Sequence, residues 1–502
     1  MSSSPLAALA EPMLLQAAAL AAALVMPMTG GQPWTVPQTG ALATTLDRVL
    51  AAPTLRAAHT GVLVTSAADG KTLYARGADD TIQPASTMKL LVGSVALDRL
   101  GPGYRFATVL VHGDGDALIL HGGGDPLLRR ADLDAAADAV QRAGILRAQV
   151  TLDESHVAPA ERRAPGWSLD DVLAYYAPVV NGLPFEENVL PLTLAPAAAL
   201  ALPPVVQLPP PFAPLAVPAG ACRPAPTLLT FTVAARTVAA GRPDTSDVVA
   251  GPCGDVIVTG EVPLGPPSHV DAAVDQPEAL ALAYFTDALR RRGVDVLPSL
   301  PSNGPIPGVV DAPFTAQPSG TLVWRHDGEP LDALLADMWL PSDNLVAEEL
   351  LREIDVAANG RAGTLEGGAA LERTWLRGIG VDPATVTLAD GSGLSQYDRF
   401  TPRALVAVLL HDWRGPGRAA VLAALPIAGA RGDLRGAMRG TPADGHVYAK
   451  TGSMSHVRGL AGFVATRTHG TLIFALSIDD WIGTDADLAA VRAAFCSRLA
   501  ES

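Results

Sequence analysis

The sequence predicts an α+β fold, an antiparallel sheet flanked by helices, interrupted by an inserted mainly-β region of one or two domains. Three observations predict it. Alternating apolar runs flank Asp69-Gly70 near one end of the chain and His469-Gly470 near the other. Helical periodicity covers the stretches beside both runs, and between about residues 106 and 269 it gives way to short alternating runs and Pro-rich segments.

Taken in chain order, residues 13 to 27 form an apolar run about as long as a signal-peptide core. Residues 1–39 therefore read as a signal-like or anchor segment with a linker, and export follows as an expectation, with membrane association through this segment. The preceding residues lack Lys and Arg and include Glu11, so an Ala-rich helix packed on the domain, or a misplaced start codon, are the alternatives. No other stretch is long and apolar enough to span a bilayer.

Gly61 to Ser66 and Lys71 to Ala75 flank the Asp69-Gly70 pair, a strong hairpin signal. Leu460 to Thr466 and Thr471 to Ile478 form a second hairpin, and Leu488, Val491, Phe495 and Leu499 then recur at helical spacing. The two hairpins, brought from opposite ends of the chain, would share one sheet. Residues 40–105 and 270–502 are thus expected to build one domain, and residues 106–269 the insertion. The Pro-rich run from Pro203 to Pro218 fits a linker or an edge of the inserted part equally well.

At 502 residues, 49% of them hydrophobic, the chain can bury two or more cores of ordinary size. Its formal net charge of -15 argues against nucleic acid as a partner, since that affinity rests on clustered cations. The histidines show no ligand spacing such as His-Glu-x-x-His, so neither a metal nor an organic cofactor is implied. Cys222 and Cys253 fit a disulfide or two buried thiols, and Cys496 falls on the apolar face of the last helix. Of 36 basic residues only three, Lys71, Lys89 and Lys450, are lysines. Where charge alone suffices this chain uses Arg, so a retained Lys points to a need for a compact ammonium or for an amine that can lose its proton.

Ser86-Thr87-Met88-Lys89 opens an apolar-periodic segment through Leu90, Leu91, Val95, Leu97 and Leu100, which puts Ser86 in the first turn of a helix. Residues three apart share a helix face, so the Lys89 amine can reach the Ser86 hydroxyl. Backbone N–H groups at a helix start can stabilise an oxyanion. A serine hydroxyl is a poor nucleophile until a base takes its proton, and a desolvated Lys beside another cation can be that base. Alone, the pattern is better explained by a capping serine. Ser342-Asp343-Asn344 begins another helical stretch, and alone would be an N-cap. Lys450-Thr451-Gly452-Ser453 precedes the closing hairpin, where Gly lets a ligand approach the strand edge. In this order, each in its own structural context, the three form a specific signature.

That signature resembles the penicillin-binding, serine DD-peptidase superfamily. Ser342 follows Lys89 by 253 positions, a gap that resembles the branch with inserted domains, the low-molecular-mass class C penicillin-binding proteins of peptidase family S13. His121 to Pro126, Gly166-Trp167, Asp390 to Ser395, and Leu425-Pro426 leading to Gly429 look like the same family. These turns also read as purely structural, His121 and Asp125 in particular.

The resemblance implies a penicillin-binding/β-lactamase-like catalytic domain and a D-Ala-D-Ala carboxypeptidase/endopeptidase acting on peptidoglycan stem peptides, with β-lactams as covalent inhibitors. It implies an exported protein, located in the periplasm, in the cell wall or on the outer face of the cytoplasmic membrane. Ser86 would be acylated, Lys89 would be its base, Ser342 would relay a proton, and Asn344 would hold the substrate amide. Lys450 would supply positive potential, Thr451, Gly452 and Ser453 the substrate-binding strand. Asp171 and Tyr176, five residues apart, match a pair that in relatives binds the free amino-carboxyl end of diaminopimelate, against a reading as a surface Asp and a core Tyr. Gln396 stands where some relatives carry Arg, which leaves side-chain specificity open. Two other functions fit the same residues: an inactive peptidoglycan-binding scaffold, and a β-lactamase or esterase on the same fold.

Overall fold

Asp69 and Gly70 turn the chain where the sequence places a hairpin: β1 (His59–Ser66) pairs antiparallel with β2 (Thr72–Arg76), and Gly70 takes the left-handed φ of +76° that a side chain would strain. In this computed structural model, which describes residues 39–159, 162–212, 215–216, 230–251, 256–298, 309–310 and 319–502, the far end of the chain completes the same sheet. There β3 (Val447–Met454), β4 (Val457–Ala465) and β5 (Thr471–Asp479) form a meander, and β5 pairs with β1 over eight residues. The order is β3-β4-β5-β1-β2, so β3 is an edge strand. The expected apolar run at residues 13–27 and the cysteines at 222 and 253 lie outside the described residues.

The chain divides into two compact units. The first comprises residues 1–104, 330–343 and 369–502 and contains this sheet. Val62, Val64, Leu460, Phe474, Leu476 and Ile478 on one face are buried with Leu42 and Leu46 of helix Thr39–Leu50 and Leu488, Phe495 and Leu499 of helix Asp485–Glu501. Helix Pro402–Arg414 packs on the strands as well, and helices Lys89–Leu100 and Leu331–Trp339 pack with each other. Gly93 makes that last contact close, because a methyl there would lie 2.5 Å from the Trp339 ring.

The second unit, residues 105–329 and 344–368, runs 60 positions beyond the expected end of the insertion at 269. The cause is helix Pro277–Arg291, whose Leu280, Phe285, Ala288 and Leu289 share a core with Leu133, Ala136 and Val140 of helix Arg130–Arg142. In addition, strand Thr321–Asp327 pairs antiparallel with Ala107–His112, more than 200 residues earlier. Small sheets also occur here, one from Ser268–Ala273, Val189–Ala195 and Val205–Gln207 and another that includes Thr230–Val233, Asp247–Ala250 and Val256–Thr259.

Candidate active site

Ser86 lies in a short 3-10 turn, Ala85–Met88, that runs directly into helix Lys89–Leu100. Ala85 holds a left-handed φ of +44°, an uncommon state for a residue with a side chain. The Thr87 hydroxyl donates to the Pro84 carbonyl at 2.6 Å and pins the turn from inside. Three residues on, the fully buried Lys89 brings its Nζ to 3.0 Å from Ser86 Oγ and donates at 2.8 Å to the Ser392 carbonyl oxygen. The helix also receives a bond from outside, since Trp339 Nε1 donates to the Lys89 carbonyl at 3.0 Å.

The Ser392 carbonyl is aimed by a loop built around Asp390. That buried carboxylate accepts the Gly393 and Ser395 backbone N–H groups at 2.6 and 2.7 Å and the Ser392 hydroxyl at 3.1 Å. Gly393 holds φ +77°, and a methyl there would collide with the Ala85 carbonyl. The loop is therefore in close contact with the turn that carries Ser86.

Edge strand β3 approaches from the other side. A methyl on Gly452 would lie 2.7 Å from the Pro84 carbonyl oxygen and 3.3 Å from Ser86 N, so glycine at this position lets the strand reach the turn. Alternation along the strand turns Lys450 and Gly452 inward, both buried, and leaves Thr451 half-buried and Ser453 exposed. The upstream part of the edge is covered by the segment after Pro426, through Ala449 N to Pro426 O and Ala428 N to Val447 O, each at 3.0 Å.

Lys450 Nζ is fully buried and faces the Asp433 carboxylate at 3.3 Å and the Thr451 carbonyl at 3.1 Å. Burial pulls its pKa below the usual lysine value, and the Asp433 charge opposes the shift. The Thr451 hydroxyl also bonds to Asp433 Oδ2. Asp433 N in turn donates to Leu340 O at 3.1 Å, which places this carboxylate beside the chain just before Ser342. Ser342 is itself left-handed, with φ +68°, after Asp343 N closes on Met338 O at 2.8 Å.

The remaining expected residues belong to the second unit and meet one another there. Asn344 opens helix Asn344–Asn359, and its Nδ2 donates to the Tyr176 carbonyl at 2.5 Å. The Tyr176 hydroxyl donates to Asp171 Oδ1 at 2.8 Å, and burial together with that carboxylate pushes its pKa up to about 12. Tyr176 is 40% exposed, which does not fit the core reading. His121 closes strand Ala117–His121 with its Nδ1 2.7 Å from Asp153, and Asp125 accepts Leu127 N at 3.0 Å, so both have structural partners. Two partners escape the sequence reading. The Ser392 carbonyl is backbone and has no residue-type signature, and Asp433 is a lone acid in a glycine-rich turn. Among the described residues no cluster of His, Cys, Asp or Glu could hold a metal ion.

Comparison with known proteins matches residues 42–501 to the D-Ala-D-Ala carboxypeptidase 3 (S13) family. The chain is 33% identical to the D-alanyl-D-alanine carboxypeptidase of Actinomadura sp. (strain R39), over 97% of this chain and 90% of that one. It is 28% identical to D-alanyl-D-alanine carboxypeptidase DacB of Haemophilus influenzae over 45% of this chain and 46% of that one. The crystal structure of penicillin binding protein 4 (dacB) from Haemophilus influenzae superposes with a TM-score of 0.74 at 22% identity, covering 92% of this chain and 98% of that one. The last likeness is one of fold.

Proposed function

The chain belongs to the S13 family of D-Ala-D-Ala carboxypeptidases, and from that premise we propose that Ser86 is the nucleophile of a serine-type D-Ala-D-Ala carboxypeptidase/endopeptidase. The observation that carries the reading is the 3.0 Å separation of Lys89 Nζ from Ser86 Oγ in a buried turn.

In acylation, Ser86 Oγ attacks the carbonyl carbon of the penultimate D-Ala, its proton passes to the Lys89 amine, and the carbonyl oxygen takes up the displaced electron pair. The backbone N–H groups of Ser86 and Ser453 receive that charge. Collapse of the intermediate breaks the C–N bond, and a proton relayed through Ser342 leaves with the terminal D-Ala amine. Water then attacks the Ser86 ester, Lys89 again taking the proton, and the shortened peptide departs with Ser86 restored.

Lys450 supplies positive potential, Thr451 and Ser453 hydroxyls take the substrate's terminal carboxylate, Gly452 leaves room for the peptide, and Asn344 holds its amide. Asp171 and Tyr176 receive the free end of the stem-peptide side chain. The substrates are peptidoglycan stem peptides, and penicillins acylate the same serine. The protein acts after export, on the outer side of the cytoplasmic membrane, with the N-terminal segment as its means of association. Among the described residues no helix is long and apolar enough to cross a membrane. Intact-protein mass spectrometry after penicillin treatment, with peptide mapping, tests the assignment. The expected result is one adduct on Ser86 that is absent from Ser86→Ala; an adduct elsewhere, or none, overturns it.

A further inference from the structure

Beside the strand that carries Lys450 and Thr451, helix Asp485–Glu501 and the segment after Asp433 leave a cavity of about 400 Å3 between them. Leu434, Met438 and Leu460 give it an apolar wall, and Ala489, Ala490 and Ala493 of the helix are small enough to leave the space open. Among the described residues that line it two are charged, Arg439 and Arg492, and both are cations.

Arg492 is half-buried, and among the described residues no carboxylate or carbonyl accepts a hydrogen bond from its guanidinium. Burial pulls its pKa below the usual arginine value, the nearby Arg458 adds to the fall, and Cys496, Asp433 and Asp485 oppose it. The two acids are engaged elsewhere. Asp433 is held by Lys450 Nζ at 3.3 Å and by the Thr451 hydroxyl, and Asp485 Oδ1 accepts from Arg458 Nη2 at 2.7 Å. Further along the segment, Arg439 is exposed with its Nε on the Arg435 carbonyl at 2.8 Å, and Asp444 accepts the Gly440 N–H at 2.8 Å. A cation desolvated against an apolar wall without a counter-charge is costly, and a guanidinium fork matches a carboxylate with two parallel hydrogen bonds. The cavity therefore complements a monoanion with an apolar body, its acid group on Arg492 and its chain along the Leu, Met and Ala wall.

We propose that this cavity is an effector site for small amphipathic carboxylates, one acid group on an apolar body of roughly eight to ten carbons, and that its occupation weakens the substrate site alongside. The second part rests on the acyl-transfer reading above. Two links join the sites: Leu434 follows Asp433 in the chain, and Leu460 is the register partner of Thr451 in the sheet. A carboxylate on Arg492 offsets the positive field that reaches Asp433, and so leaves a less positive potential at the strand where the substrate's own carboxylate is received. The substrates and the chemistry stay the same, and the effector lowers the rate at which they are captured.

Isothermal titration calorimetry of the full protein with octanoate, octanamide and acetate tests the site, and the rate of Ser86 acylation by a fluorescent penicillin, with and without octanoate, tests the coupling. Octanoate is expected to bind with a Kd of about 1 mM or below, and the neutral amide and the short acid at least about tenfold more weakly. Arg492→Met should remove the preference for the acid over the amide, and Ala493→Phe should fill the space and remove binding of both; thermal melts report whether each variant folds. At saturating octanoate the second-order acylation rate should fall roughly threefold in the unaltered protein and stay level in Arg492→Met, since capture of a charged ligand follows the local potential. Octanoate that fails to bind the unaltered protein, or binds no better than octanamide, overturns the proposal, and neither result depends on a variant. Binding that persists unchanged in both folded variants lies elsewhere on the molecule and overturns it equally, and acylation that octanoate leaves unchanged overturns the effector role. A protein that binds octanoate through Arg492 but never labels on Ser86 shows instead that the acyl-transfer reading has failed and the site has not.

Discussion

The Lys89 amine donates to the Ser392 carbonyl oxygen at 2.8 Å, a bond that holds Nζ at 3.0 Å from Ser86 Oγ. A side chain fully excluded from water and tied at its tip has little freedom to be replaced. An arginine at this position is larger and cannot give up its proton to act as a base. Lys89→Arg should therefore slow acylation of Ser86 by about a thousandfold or more. Lys450→Arg keeps the charge that its proposed role requires, and should lose less despite the crowding. Single-turnover labelling with a fluorescent penicillin measures both, and equal losses would contradict the separate roles.

Glycine at position 393 is fixed by two constraints at once, the φ of +77° and the Ala85 carbonyl that lies where a methyl would go. Gly393→Ala should push on the residue next to Ser86 and slow acylation by roughly tenfold to a hundredfold, the scale on which a small misplacement of a reacting group is felt. Gly378→Ala, with open space around it at a helix end, should leave the rate unchanged. If the two variants acylate alike, the contact between the 390–395 loop and the turn does not position the serine.

Cys496 is fully buried on helix Asp485–Glu501, and burial raises its thiol to about 12. The thiolate is the reactive form. A maleimide at pH 8 followed by peptide mapping should find Cys496 unmodified in the folded protein and modified in denaturant. Labelling of the folded protein at this position would show that the last helix opens from the sheet.

What could be read from the sequence divides along physical lines. The two hairpins were legible because a half-buried strand must alternate and because Asp69-Gly70 and His469-Gly470 mark tight turns, and β1 does pair with β5. The proximity of Ser86 and Lys89 was legible because a spacing of three on a helix start is a local fact. The extent of the insertion was not, because the apolar face of Pro277–Arg291 declares a helix without declaring which core it enters. Strand Thr321–Asp327 likewise gives no sign of a partner some 200 residues away. Asp433 was missed for the same reason: its meaning lies in Lys450 and Thr451, which only the fold brings to it.

Asp412, on helix Pro402–Arg414, is a buried carboxyl outside the proposed chemistry. Burial pushes its pKa up to about 8, the nearby Asp98 charge adding to the shift and the Ser94 hydroxyl opposing it. The hydrogen bonds agree with a protonated acid. Ser94 Oγ lies 2.6 Å from Leu90 O and 2.8 Å from Asp412 Oδ2, and its single proton can serve only one of them. If Ser94 donates to Leu90, Asp412 must itself be the donor to Ser94. The sign for stability follows. Between about pH 4, where an unfolded aspartate ionises, and pH 8, the folded chain holds a proton that the unfolded chain has released, so stability falls as pH rises through that window. Asp412→Asn keeps a donor toward Ser94 and has no proton to lose. Its melting temperature should match the unaltered protein near pH 5 and exceed it by a few degrees at pH 8. A difference that does not change between those two pH values would mean that Asp412 is ionised in the folded protein, and the bond to Ser94 would then run the other way.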